Sequence, residues 1–296
     1  MLCSLVLNEF LKFQELKNNS DETIIYYKQR IGYFIDFVND KDIRKVNVKD
    51  YDNYLFYLKN KDISDATVKT SLTAVRVFLN YCYKEHYIKK DIVSSLSTFK
   101  AGKKTIVVLS EMQIQDIYSS YDENSFYGSR NLLMISFMLD CGLRLSEMLN
   151  LTINDVQTEL HLVKVRGKGN KERLVPLSDV TLYYFYNYLG IKTDINNFLF
   201  IDINGKHITT SAVRKELHNL KIKLGFSTLY PHYLRHTFAT YYIVYGGNPL
   251  TLKSILGHTT LYMTELYVHI ADQLTIAKNI KYTPLTNIPY FQEKRR

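Results

Sequence analysis

The chain has 296 residues, 46% of them hydrophobic, and a formal net charge of +9 at pH 7. This length admits two domains with packed cores, and the lack of a run of 18 apolar residues indicates no membrane-spanning helix. The start, MLCSLVLNEF, carries no positive leader and does not read as a signal peptide, while Cys3, Cys82 and Cys141 are too widely spaced for a zinc site and fit buried thiols in a reducing compartment.

The positive charge is spread along the chain. Residues 1–100 hold 16 Lys and Arg against 13 Asp and Glu, and the remainder holds 22 against 16. Such a distribution suits a protein that touches a polyanion over much of its length.

Residues 1–95 read as an all-helical domain. Apolar residues at helical spacing mark helices over 2–16, 23–38, 48–58 and 66–85. Ser20, Asn47 or Asp50, and Ser64 supply the start signals. The last of these helices buries Leu72, Val75, Phe78, Leu79 and Cys82, and turns Lys69, Thr70, Thr73 and Arg76 outward. The polar stretch SSLSTFKAGKKT, residues 94–105, reads as a flexible basic linker with Lys100, Lys103 and Lys104. The domain boundaries follow: helical domain 1–95, linker 96–106, second domain 107–280, tail 281–296.

The second domain opens with a capping box, Ser110 with Gln113. Helices follow over 112–120 and 129–141, the latter apolar enough to be buried, with a restart over 145–149 after Gly142. The strand signal lies at 161–166 and 173–177, on either side of a Gly/Asn/Lys turn, with 198–203 as a short addition. Helices over 211–223, 232–245 and 250–256 complete the body. Asn248, Pro249 and Gly257 bracket the last of these. Residues 270–280 form an amphipathic helix in the tail. The fold class is therefore mainly α with a small antiparallel β-sheet in the second domain.

Six residue types recur in an order that suits phosphate chemistry. Arg144 stands in CGLRLSEML and Lys168 in RGKGNKERLVPL. His232 and Arg235 share a helix face in PHYLRHTFAT, and His258 and Tyr267 stand nine residues apart in LGHTTLYMTELY. Arginine forks clamp phosphate oxygens, and a phenol is a nucleophile. Glu147, three residues from Arg144, is placed to orient its guanidinium. No GxxxxGK[ST] is present, so a nucleotide-cradling loop is not indicated.

These four blocks, in this order, resemble the tyrosine recombinases, the family of phage integrases and Xer-type site-specific recombinases. The resemblance implies a helical core-binding domain followed by a mixed α/β catalytic domain. It implies cleavage and rejoining of DNA strands through a 3′-phosphotyrosyl intermediate, with no cofactor. Tyr267 is the implied nucleophile, chosen over Tyr262 by the family spacing. Lys168 is the implied general acid, Arg144 and Arg235 the phosphate clamp, His232 the proton acceptor, and His258 a phosphate contact. His236 and His269 match no catalytic position and are expected to be structural or solvent-facing. Lys69, Thr70, Arg76, Lys100, Lys103, Lys104, Lys171 and Arg173 are the expected DNA contacts. The implied partners are a double-stranded target site and sister subunits, a homo-tetramer or a hetero-tetramer with a related recombinase, on cytoplasmic, nucleoid-associated DNA. The lack of an extra N-terminal module resembles the Xer type, or a small transposon or plasmid recombinase, in dimer resolution or in element resolution or integration. Two alternatives from other classes are a DNA-binding protein without cleavage and a type IB topoisomerase-like relaxing enzyme.

Overall fold

Local capping chemistry starts most of the helices. In the computed structural model, residues 1–100, 102, 107–167, 171–192, 197–258, 260 and 262–276 are described. The chain divides into two units, Met1–Thr105 and Ile106–Arg296.

The first unit holds α1 (Cys3–Leu16), α2 (Asp21–Phe37), α3 (Val48–Lys59) and α4 (Asp65–Lys84). Asn47 closes a reciprocal cap on α3, its side chain accepting from Lys49 N at 2.9 Å while Asp50 accepts from Asn47 N at 2.9 Å. Ser64 caps α4 through Thr67 N at 3.2 Å. The expected face of α4 is buried, and Phe78 meets Phe10 edge-on at 5.6 Å. Lys69, Thr70 and Lys100 are exposed.

The linker reading needs correction at its start. Leu96 is buried in the core of the first unit and Phe99 packs on that core. Arg76 donates from Nη2 to the carbonyls of Leu96 and Ser97 at 3.1 and 3.2 Å, and Asp65 accepts from Gly102 N at 3.1 Å. Residues 96–100 and Gly102 are thus fastened along α4, because apolar side chains occur in what reads as a polar stretch. Arg76, expected on DNA, serves this fastening. Lys103 and Lys104 lie outside the described residues.

The second unit contains α5 (Glu111–Ser119), α6 (Phe126–Leu139), α7 (Leu145–Leu149), β1 (Val156–Gln157), β2 (Leu162–Arg166), β3 (Glu172–Pro176), α8 (Asp179–Ile191), α9 (Thr210–Lys223), α10 (Pro231–Val244), α11 (Pro249–Leu256) and α12 (Tyr262–Ile276). α6 is the central helix, buried on all sides from Gly128 to Met138 and packed between α8 and α10. The sheet is antiparallel in the order β1-β2-β3. Val163 pairs with Val175 and Val165 with Arg173. Directly opposed residues share a face, so Arg173 lies on the inward face with three buried valines.

Four elements depart from the sequence reading, the two-residue β1 among them. α8 is present where no helix is expected: its buried stripe of Thr181, Leu182, Phe185 and Tyr188 is masked by the exposed apolar rings of Tyr183 and Tyr186. Residues 198–203 form two isolated bridges, Thr152 with Phe198 and Ile201 with His207, and no strand. The last described helix begins at Tyr262 and carries Tyr267, well before residue 270; residues 277–280 of the expected tail helix lie outside the described residues. No described helix is long and apolar enough to cross a membrane.

Candidate active site

Two turns that only glycine adopts easily set the site. Gly142, at φ +64°, ends the run from α6 and frees its carbonyl. Gly257, at φ +63°, ends α11. Arg235 is 3% exposed and donates from Nη1 to Gly142 O at 2.6 Å and from Nη2 to Leu256 O at 2.7 Å. The second guanidinium nitrogen also lies 3.2 Å from His258 Nε2. Burial, and then Arg144 nearby, lower the Arg235 pKa to about 10, with Glu147 opposing them, so it remains a cation at neutral pH.

Glu147 is the hub. At the third position of α7 it accepts from Arg144 N at 2.9 Å and from Arg144 Nη1 at 2.7 Å. Arg173 donates to both of its oxygens at 2.9 and 2.8 Å, and Arg235 Nη1 stands 3.9 Å away. Burial pushes the Glu147 carboxyl up, but hydrogen bonds from Arg173 and from the Arg144 backbone outweigh it and hold the pKa at about 2. The expected Glu147–Arg144 contact is therefore present. Arg173, expected on the DNA backbone, is turned inward and also donates to Ile255 O at 2.6 Å. Period-2 alternation with Val175 is the signal that points it there.

α10 packs on α12 and brings the phenol in. Tyr267 is 1% exposed and completes a small core with Ala239, Leu252 and Leu256. Its hydroxyl lies 2.8 Å from His236 Nδ1. His236 is half-buried on the wall of the cleft. It stands against the one phenol that the sequence selects, a contact that no spacing rule reveals across 31 residues. His258 stacks near Tyr267 at 6.3 Å between ring centroids and has Nδ1 3.3 Å from Thr264 Oγ1. His232 lies at the exposed rim, its ring 6.4 Å from that of His236. His269 is exposed. The side chain of Tyr262, and all of Lys168, lie outside the described residues.

Burial and the surrounding cations tune this cleft. Burial, then His232 and Arg235, lower His236 to about 4. Burial, then Arg235 and Arg144, lower His258 to about 4. Loss of water around its ring, then Arg235 and Arg144, also lower His232. Burial raises the Tyr267 phenol against the pull of Arg235 and Arg144. Neutral imidazoles, fixed guanidinium groups and a protonated phenol thus share one cleft of about 1040 Å³, with Lys171 exposed on its wall. An anion entering it meets two arginines held by Glu147 and a phenol with a hydrogen-bonded acceptor.

Known proteins resemble the chain over nearly all its length. The model of the phage integrase family matches residues 107–273, and that of the phage integrase N-terminal SAM-like domain matches residues 7–86. Tyrosine recombinase XerD of Staphylococcus saprophyticus is 29% identical over 277 residues, covering 90% of this chain and 94% of that protein. XerH site-specific recombinase bound to palindromic difH substrate shares the fold with a TM-score of 0.75 at 22% identity, over 94% of this chain and 84% of that one. The Tn1549 transposon integrase, in complex with circular intermediate DNA, shares it with a TM-score of 0.74 at 20% identity, over 90% and 95%. The chain belongs to the phage integrase family and is a tyrosine recombinase.

Proposed function

We propose that this recombinase cuts and rejoins duplex DNA at a specific site, with Tyr267 as the nucleophile. The observation that carries the reading is the convergence on one cleft of Arg144 at the N-cap of α7, His232 and Arg235 of α10, His258 just past the end of α11, and Tyr267 of α12. Tyr267 Oη attacks the phosphorus, forms a 3′-phosphotyrosyl ester and releases a 5′-hydroxyl. The ester conserves the bond, so rejoining needs no new energy source. Arg144 and Arg235 stabilise charge on the non-bridging oxygens, a contribution of the kind that costs about 10²–10³-fold in rate when one donor is lost. Lys168 protonates the leaving 5′-oxygen, and His258 contacts the phosphate.

The DNA partner is inferred from the cationic cleft and from the relatives solved on DNA. Lys69, Thr70, Lys100 and Lys171 are the surface contacts, with Lys103 and Lys104 assigned to the same role. Subunits assemble as a tetramer on the site. Dimer resolution and mobile-element resolution or integration are the two uses that this chemistry serves. A non-cleaving DNA-binding protein would not need the full set of residues, and the XerD likeness disfavours a relaxing topoisomerase.

The test is covalent capture on a nicked suicide substrate. The protein forms a DNA adduct that Tyr267→Phe abolishes and Tyr262→Phe retains. An adduct that survives Tyr267→Phe sinks the assignment of the nucleophile.

A further inference from the structure

The Tyr267 phenol must lose its proton as its oxygen bonds to phosphorus. Burial holds that proton on more tightly than in water, so a positioned acceptor is needed. His232 is the acceptor implied by family resemblance, yet it sits one helical turn from His236 at the exposed rim. Among the described residues, the side chain hydrogen-bonded to Oη is His236, through Nδ1 at 2.8 Å. Packing enforces the contact. His236, Ala239 and Ile243 lie on one face of α10, and Ala239 and Ile243 pack with Tyr267.

We propose that His236 is a catalytic residue: Nδ1 takes the phenolic proton during cleavage and returns it during rejoining. This rests on the reading of Tyr267 as nucleophile. In the forward step the Oη–P bond forms, the P–O5′ bond breaks, the phenolic proton moves to Nδ1, and the 5′-oxygen is protonated by Lys168. Rejoining reverses each transfer. The ring works in its Nε2-protonated tautomer, with Nδ1 bare toward the phenol.

Burial, then His232 and Arg235 on its own helix, disfavour a positive charge on His236 in the absence of DNA, and His258 faces it across the cleft. The phosphodiester brings a negative charge between Arg144 and Arg235 and offsets that field. His236 therefore becomes a stronger base when the scissile phosphate arrives.

The experiment is single-turnover cleavage of a substrate with a 5′-bridging phosphorothiolate, whose thiolate leaves without an acid, measured from pH 5 to 9. His236→Asn is the main variant, because its Oδ1 can accept the phenol's hydrogen bond but does not take up a proton. His236→Ala is the second variant, and gel-shift binding and thermal melting are run on both. We expect His236→Asn to bind DNA normally and to cleave about 10²-fold or more slowly. We also expect loss of the low-pH limb of the wild-type profile, leaving a rate that climbs with pH as the phenol ionises unaided. His232→Asn keeps that limb. Cleavage by His236→Asn within a few-fold of wild type, or a slow rate that keeps the low-pH limb, overturns the proposal. If Asn disturbs folding, retention of the limb by a folded, DNA-binding His236→Ala overturns it equally. An adduct formed by Tyr267→Phe would instead remove the underlying reading, and the two failures are told apart on the same gel.

Discussion

Arg173 and Glu147 form a two-pronged ion pair, Nη1 to Oε1 at 2.9 Å and Nη2 to Oε2 at 2.8 Å, with the carboxylate 4% exposed and the arginine 13%. The pair ties β3 to α7, and through Ile255 O it also ties β3 to α11. Removing one partner strands a buried charge, which costs about 3–5 kcal/mol. Arg173→Ala should therefore lower the melting temperature of the second unit by roughly 6–20 °C. Arg173→Lys, which cannot form the fork, should fall between. A melting curve unchanged in Arg173→Ala contradicts this account.

Acid should loosen the second unit before Glu147 takes up a proton. His236 and His258 have folded pKa values near 4 against an ordinary 6.5. Between those values the unfolded chain binds protons that the folded chain does not, so stability is complete above about pH 6.5 and is lost as the pH falls toward 4. Glu147, held near 2, gives up its contribution only in a lower window, below its ordinary 4.5. Melting at pH 7.5 and pH 5 is the check: the wild type drops, and the double variant His236→Asn, His258→Asn drops less. Equal losses in both proteins would refute the link.

Gly142 is expected to tolerate no side chain. At φ +64° an L-residue is strained, and a Cβ would run into the Phe238 ring and Leu256. Left-handed strain and overpacking together predict a loss of about 2–4 kcal/mol for Gly142→Ala. Its carbonyl holds Arg235 Nη1 at 2.6 Å, so cleavage should suffer even at temperatures where the variant is fully folded. Single-turnover rates at 15 °C alongside a melting curve separate the two effects.

The first unit offers the opposite case. Tyr54 is fully buried, and its hydroxyl has no hydrogen-bond partner among the described residues. Its ring meets Phe34 edge-on at 5.2 Å. Tyr54→Phe keeps the ring contacts and removes a stranded polar group, so stability should be unchanged or higher by about 1–2 kcal/mol. Urea denaturation measures it, and a clear loss would mean that the hydroxyl has a partner in solution.

What was legible in the sequence is what local chemistry decides. The caps at Asn47, Ser64, Ser110 and Asn248 work through neighbours two or three residues away, and each starts a helix where the sequence places it. The buried faces of α4 and α6 follow from apolar spacing. α8 was hidden because tyrosines on its exposed face read as apolar, and β1 because its two residues are too short to establish a period. At the site, spacing put His232 and Arg235 one turn apart and Glu147 beside Arg144. Strand alternation turns Arg173 inward, but it could not show that Arg173 meets the same carboxylate, which lies 26 residues away in the chain. Nor could it show which of two histidines on α10 meets the phenol, since that depends on how α12 crosses α10.

Tyr267, the proposed nucleophile, also fills space, closing the small core of Ala239, Leu252 and Leu256. A serine or cysteine there would fall short of the phosphate and also leave a hole where three helices meet. Redesign of the nucleophile therefore cannot proceed by a single exchange. At the proposed nucleophile one side chain serves both the reaction and the architecture, so a substitution there is opposed on both counts.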